Sequence, residues 1–147
     1  MKAKELMIGD IVRVSKDVCI KKGTIVEIRG IDADRVFPEK PLKGCATCVP
    51  VGDPDGVSGG VWLDYLEPIP LNDEILQKNG FEYHEGERGL YGVVVSPYYA
   101  IEGSPYIFCD GHPFAVWFED EVPIRYVHQL QHVLRLCGLD KEITIKD

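Results

Sequence analysis

The sequence predicts an α+β fold in which a small N-terminal β module is followed by a linking helix, an antiparallel β-sheet and a packed C-terminal helix. Three observations carry that expectation. "IGDIVRV" (8–14) and "GTIVEIRGI" (23–31) are rich in β-branched residues with partial alternation. Apolar residues recur at helical spacing through "RYVHQLQHVLRLC" (125–137). The Asp-Gly of "CDGH" (109–112) stands between two aromatic runs, where its tolerance of positive dihedrals suits a tight hairpin. A length of 147 residues sets an expectation of one domain or two small lobes, read here as a module over 1–70 and a second lobe over 71–147.

In the first lobe, the two strands above and a further short one in "GGVWLDYLEPIP" (59–70) suggest a compact SH3-like or KOW-like barrel. Between them "DADRVFPEKPLKGCATCVPVGDPDGVSGG" (32–60), dense in Gly, Pro and Asp, reads as a long excursion. "PIPLNDEILQKNGFE" (68–82) then reads as a short helix. Asn72 or Asp73 caps it, Asp73 and Glu74 favour its first turn, and Gly80 stops it. "LYGVVVSPYY" (90–99) and the pair within "SPYIFCDGHPFAVWFED" (104–120) read as strands. Their aromatics Tyr106, Phe108, Phe114, Trp117 and Phe118 suggest a packed sheet. The closing helix is expected over about 123–137 with Gly138 as its stop, and "EITIK" (142–146) as a last strand.

Charge is unevenly placed. The formal net charge is -8. Residues 71–121 hold two Lys/Arg against ten Asp/Glu, whereas residues 1–30 hold seven against four. An acidic middle repels phosphate backbones, which argues against an extended nucleic-acid footprint but leaves room for a small anion on a local patch. No apolar run approaches the roughly 18 to 20 residues of a membrane span, and "MKAKELMIGD" has no apolar core for a signal peptide. The expectation is therefore a protein of the cytoplasm. Five scattered cysteines do not suggest a disulfide framework.

The stretch "IRYVHQLQHVLRLCG" (124–138) runs against the overall charge, with two arginines, two histidines and no carboxylate. On a wheel at about 100° per residue, Tyr126, Val127, Leu130, Val133, Leu134 and Cys137 gather on one side. Arg125, His128, Gln129, His132 and Arg135 gather on the other, with Leu136 intruding and Gln131 at the border. The arginine forks suit phosphate or carboxylate, and the histidines and Gln129 can hydrogen-bond a base, a ribose or a backbone. The plain counterpart is a solvated helix face.

"LEPIPLNDEILQKNGF" (66–81), "YVHQLQ" (126–131) and "ELMIGDIVRV" (5–14) resemble a family of small proteins encoded in phages and mobile elements of Bacteroidetes bacteria. There a short β module runs into a "PIPL" helix and a "YVHQLQ" helix closes the chain. The three anchors cover about a fifth of the residues. The family pattern usually continues after "YVHQLQ" with an aromatic, Asn-containing segment, whereas "HVLRLCG" here adds His132 and Arg135. The resemblance implies provenance and architecture rather than mechanism.

Other constellations carry less. Cys45 and Cys48 of "CATC" with Cys109 and His112 of "CDGH" would supply four zinc ligands if the excursion folded onto the hairpin. Against this, "CATC" lacks the glycine that usually follows a zinc knuckle, and small buried cysteines are common. Asp53 and Asp55 in "GDPDG" lack the ligand series of a calcium loop and read as a turn. No nucleophile elbow, phosphate-binding glycine loop or HExxH helix occurs, and His84 beside Glu85 and Glu87 reads as a solvated turn. Cys109 with His128 or His132 would make a nucleophile pair, which sequence separation leaves undecided.

The functional expectation is a non-enzymatic, phage-encoded binding protein without a cofactor. It would sequester a small anionic nucleotide signal of bacterial immunity through Arg125, His128, Gln129, His132 and Arg135, with Tyr98 or Tyr99 stacking on a base. A two-fold homo-oligomer would set two such stripes around one cleft. The alternative is a protein-interaction module that engages a host or phage protein through its acidic surface, notably residues 82–88.

Overall fold

The β-branched run at 11–14 forms the first strand of a meander. Val12 and Val14 alternate with Arg13, so that one face of β1 (Ile11–Val14) enters a core while Arg13 looks outward. The computed structural model describes residues 1–36, 39, 42–53, 56–86, 97–108, 114–117 and 120–145. It divides into two units, Met1–Ile69 and Pro70–Asp147.

In the first unit β1 pairs antiparallel with β2 (Ile25–Val36), β2 with β3 (Lys43–Pro50) and β3 with β4 (Gly59–Trp62). A short β5 (Leu66–Glu67) returns to β1. The order is β4-β3-β2-β1-β5, with a one-turn 3-10 helix at Leu63–Tyr65 before β5. No ladder among the described residues joins β4 to β5, so the expected SH3-like barrel is not seen as a closed barrel. The register slips between Ile28 and Gly30 opposite Cys48 and Thr47, an extra residue that bends and twists a long strand. Val12, Val14, Val26, Ile28, Ala46, Cys48, Val61, Leu63 and Leu66 form the core.

The excursion expected over 32–60 is not a loop. It contains the end of β2, the whole of β3 and the start of β4. β3 has strands on both sides, and its Ala46 and Cys48 are buried in the core. Small residues suit that position because of a close approach. At Gly59 of β4, opposite Cys48, a Cβ would collide with the Cys19 sulfur.

In the second unit Asn72 caps α1 (Asp73–Lys78) by accepting the Ile75 N–H at 2.9 Å, and Gly80 follows at φ 76°. Five antiparallel strands come next: β6 (Glu82–His84), β7 (Tyr98–Ala100), β8 (Tyr106–Phe108), β9 (Phe114–Trp117) and β10 (Asp120–Pro123). They stand in the order β10-β9-β8-β7-β6. β8 and β9 make the expected hairpin; its turn at 109–113 lies outside the described residues, as do Phe118 and most of "LYGVVVSPYY". The segment at His84 is a strand rather than a turn. Pro123, where the closing helix was expected to begin, is the last residue of β10 and pairs with β9, and α2 spans Val127–Leu136.

Two segments that are distant in sequence meet at the start of α2. Pro70 bridges Tyr126, and the Leu71 N–H donates to the Arg125 carbonyl at 2.9 Å, so "EPIPL" pairs with the entrance to "YVHQLQ". The tail is held without a strand. Asn79 Nδ2 donates to the carbonyls of Ile75 at 2.8 Å and Thr144 at 2.9 Å, while its Oδ1 accepts the Thr144 N–H at 2.8 Å. One side chain thus takes both backbone groups of Thr144, and Ile143 beside it is buried.

Candidate functional site

The acid-free helix is more deeply set than its wheel suggests. Buried positions on α2 are Val127, His128, Leu130, Gln131, Val133 and Leu134, an arc of about 220° at 100° per residue. His128 is only 3% exposed; its ring lies parallel to Tyr126 at 5.8 Å and edge-on to His132 at 5.8 Å. Gln129 is engaged locally, its Oε1 accepting the N–H groups of Arg125 at 2.7 Å and Tyr126 at 3.2 Å. These bonds satisfy backbone donors ahead of the first turn. What α2 turns toward solvent is Leu136, 79% exposed, with His132 and Arg135 half-buried, and Arg125, just ahead of the helix, is exposed. The polar stripe is therefore split: two of its five members serve the helix itself.

A different surface gathers more chemistry. Cross-strand registers pair Glu82 with Ala100, His84 with Tyr98, and Tyr98 with Phe108. Side chains alternate along strands, so Glu82, His84, Tyr98, Ala100, Tyr106 and Phe108 share one face. The opposite face carries Tyr99 (3% exposed) and Ile107, both in the core. Gln77 of α1 donates to the Tyr99 hydroxyl at 3.1 Å, which places α1 on that inner side. The outer face is an aromatic row. His84 and Tyr98 stack at 4.8 Å with planes 16° apart, Tyr98 meets Tyr106 at 4.6 Å and Phe108 at 5.8 Å, and Tyr106 is 53% exposed.

Tyr98 and Tyr99, adjacent in sequence, thus have opposite fates: Tyr98 belongs to the outer row, and Tyr99 is a core residue under Tyr83 (5.2 Å). The ring contacts of Tyr98 are with His84, Tyr106 and Phe108, whereas those of the α2 stripe are among Tyr126, His128 and His132. Sequence reasoning missed His84, Tyr106 and Phe108 as site residues. Period-two spacing of aromatics in "YIF" and of Glu82 with His84 was the available signal.

Beside the row, the small Ala100 leaves a gap. A depression of about 270 Å³ opens there, lined by Gly80, Glu82, His84, Ala100, Ile101 and Glu102. Two carboxylates and an imidazole in one place, with Tyr98 stacked on that imidazole, can hold a cation or hydrogen-bond donors. They are poorly suited to a phosphate.

The cysteines fall elsewhere. Cys45 and Cys48 lie three apart on the regular β3–β4 ladder, Cys45 opposite Trp62 and Cys48 opposite Gly59. An odd separation on a strand sends their side chains to opposite faces, so they do not grip one ion together. Cys109 and His112, and with them the pairing of Cys109 with His128 or His132, lie outside the described residues. Among the described residues no group of three or more metal-ligating side chains is assembled. Burial pushes the Cys48 thiol up to about 12, and Cys45 and Cys137 are raised by the same cause. No described helix is long and apolar enough to cross a membrane. Comparison of the chain with protein-family models, with curated proteins and with solved structures finds no match.

Proposed function

We propose that the protein is a binding module that engages a partner protein through the outer aromatic face of its second unit, where the acidic middle of the chain is displayed. The observation that carries this reading is the row His84–Tyr98–Tyr106–Phe108, half-exposed or exposed and standing beside Glu82 and Glu102. Aromatic side chains supply large contact areas at low entropic cost. Such a row at a surface stabilises an interface more than it stabilises a monomer. The resemblance to proteins of phages and mobile elements favours a host or phage protein as the partner and the bacterial cytoplasm as its setting. Strand order and the 3-10 turn before β5 support an SH3-like reading of the first unit.

A second reading has its own observation. Arg125, just ahead of α2, is exposed, and His132 and Arg135 are half-exposed, which favours a small anion such as a nucleotide signal. Native mass spectrometry of protein purified from a bacterial lysate separates the two readings. A protein-sized adduct lost in a Tyr98→Ala, Tyr106→Ala variant supports the aromatic face. A nucleotide-sized adduct lost in an Arg125→Ala, Arg135→Ala variant supports the stripe and sinks the first reading.

A further inference from the structure

We propose that the gap over Ala100 receives the guanidinium of an arginine side chain presented by a basic segment of the partner. This rests on the aromatic-face reading and names the chemistry of its central contact. Three observations converge. The first is size: the depression, about 270 Å³, falls below the roughly 300–1,000 Å³ of sites that enclose drug-sized ligands. The second is charge. Among the described residues the lining holds Glu82 and Glu102 and no Lys or Arg, within a stretch, 71–121, in which there are ten carboxylates to two basic residues, so an approaching cation is attracted and an anion repelled. The third is shape. His84 lines the gap and is held at 4.8 Å and nearly parallel to Tyr98, so a fixed aromatic ring stands at the wall for a flat cation to lie against.

A guanidinium is planar and weakly hydrated. It stacks on aromatic faces and gives paired hydrogen bonds to a carboxylate, whereas an ammonium is a strongly hydrated point charge. Arginine therefore fits the stack and the carboxylates together. An internal cation stands close by: the Lys141 Nζ lies 4.0 Å from where a Cβ on Gly80 would be. It partly neutralises the rim from the Gly80 side.

The test is an NMR titration of the full chain, following the signals of His84, Tyr98, Ala100, Tyr106 and Glu102. Three probes are used: an acetylated Gly-Arg-Gly-Arg-Gly amide, the same peptide with citrulline for arginine, and AMP. The arginine peptide is expected to move these signals, with citrulline binding at least about fivefold more weakly because only the charge is lost. Glu102→Gln and Tyr98→Ala should each weaken the arginine peptide roughly threefold or more, and Lys141→Met should tighten it. Glu102 lies in an exposed turn, so its variant keeps the test valid if Tyr98→Ala unfolds. Equal binding of citrulline, or no effect of Glu102→Gln, overturns the guanidinium assignment. Shifts of these signals by AMP alone also overturn it while leaving the face as a binding surface. Silence of all three probes at these signals counts against both.

Discussion

Replacing Asn79 by alanine isolates the device that holds the tail of the second unit. Three hydrogen bonds are lost, two from Nδ2 and one to Oδ1. At about 0.5–1.5 kcal/mol net for each, their sum is about 2–4 kcal/mol. The Ile75 carbonyl keeps the Asn79 backbone N–H at 3.1 Å, so the groups stranded are the N–H and C=O of Thr144, an exposed residue whose loss water partly offsets. The expected cost is therefore nearer 2 than 4 kcal/mol. That is a large part of the stability of a unit of this size, by a scale of roughly 0.05–0.15 kcal/mol per residue. Asn79→Asp should cost at least as much: it keeps the acceptor but sets a carboxylate against two carbonyl oxygens. The two tryptophans, Trp62 and Trp117, fall one in each unit. Urea unfolding in a Trp62→Phe background thus follows the second unit through Trp117, which guards against averaging two transitions. A loss below about 0.5 kcal/mol in both variants, or a Thr144 amide that exchanges no faster, would refute the clamp.

Gly59→Ala drives a methyl into the Cys19 sulfur and should cost about 1–3 kcal/mol by overpacking; adding Cys19→Ala should recover most of it, as read from thermal melts. Gln129→Ala strands the N–H groups of Arg125 and Tyr126, with an expected loss of about 1 kcal/mol and fraying at the start of α2, measured by amide exchange. The Cys48 thiol, raised by burial to about 12 in the folded state, titrates near 8.5 when unfolded. Its contribution to stability is thus fully present below that value and is lost as pH climbs toward 12. Unfolding free energies between pH 8 and 10.5 should fall more steeply for the wild type than for Cys48→Ala. In the folded protein, a thiol reagent should modify exposed Cys19 well before Cys45 or Cys48.

The parts of the fold legible in sequence were those written in local chemistry. Asn72, Gly80 and Gly138 mark helix ends through capping and positive φ, and β-branched alternation marks β1 and β2. β3 was hidden because "KGCATCVP" owes its strand to neighbours on both sides rather than to the propensities of Gly, Ala and Cys. The short polar strands β6 and β10 likewise exist by pairing with β7 and β9. A wheel assigns one side of a helix to the core, and so it placed His128 outside; this helix is enclosed over more than half its circumference, and the imidazole stacks on Tyr126. The candidate site was half visible. Tyr98 was named, but the residues that make it a surface, His84, Tyr106 and Phe108, join it only through cross-strand register.

The claim that the outer sheet face binds is tested most directly by hydroxyl-radical footprinting of the protein alone and loaded with the partner recovered from lysate. The account predicts that His84 and Tyr106, reactive in the protein alone, become protected in the complex while Leu136 on α2 stays reactive. Protection of Leu136 and Arg125 with undiminished reactivity at Tyr106 would contradict it.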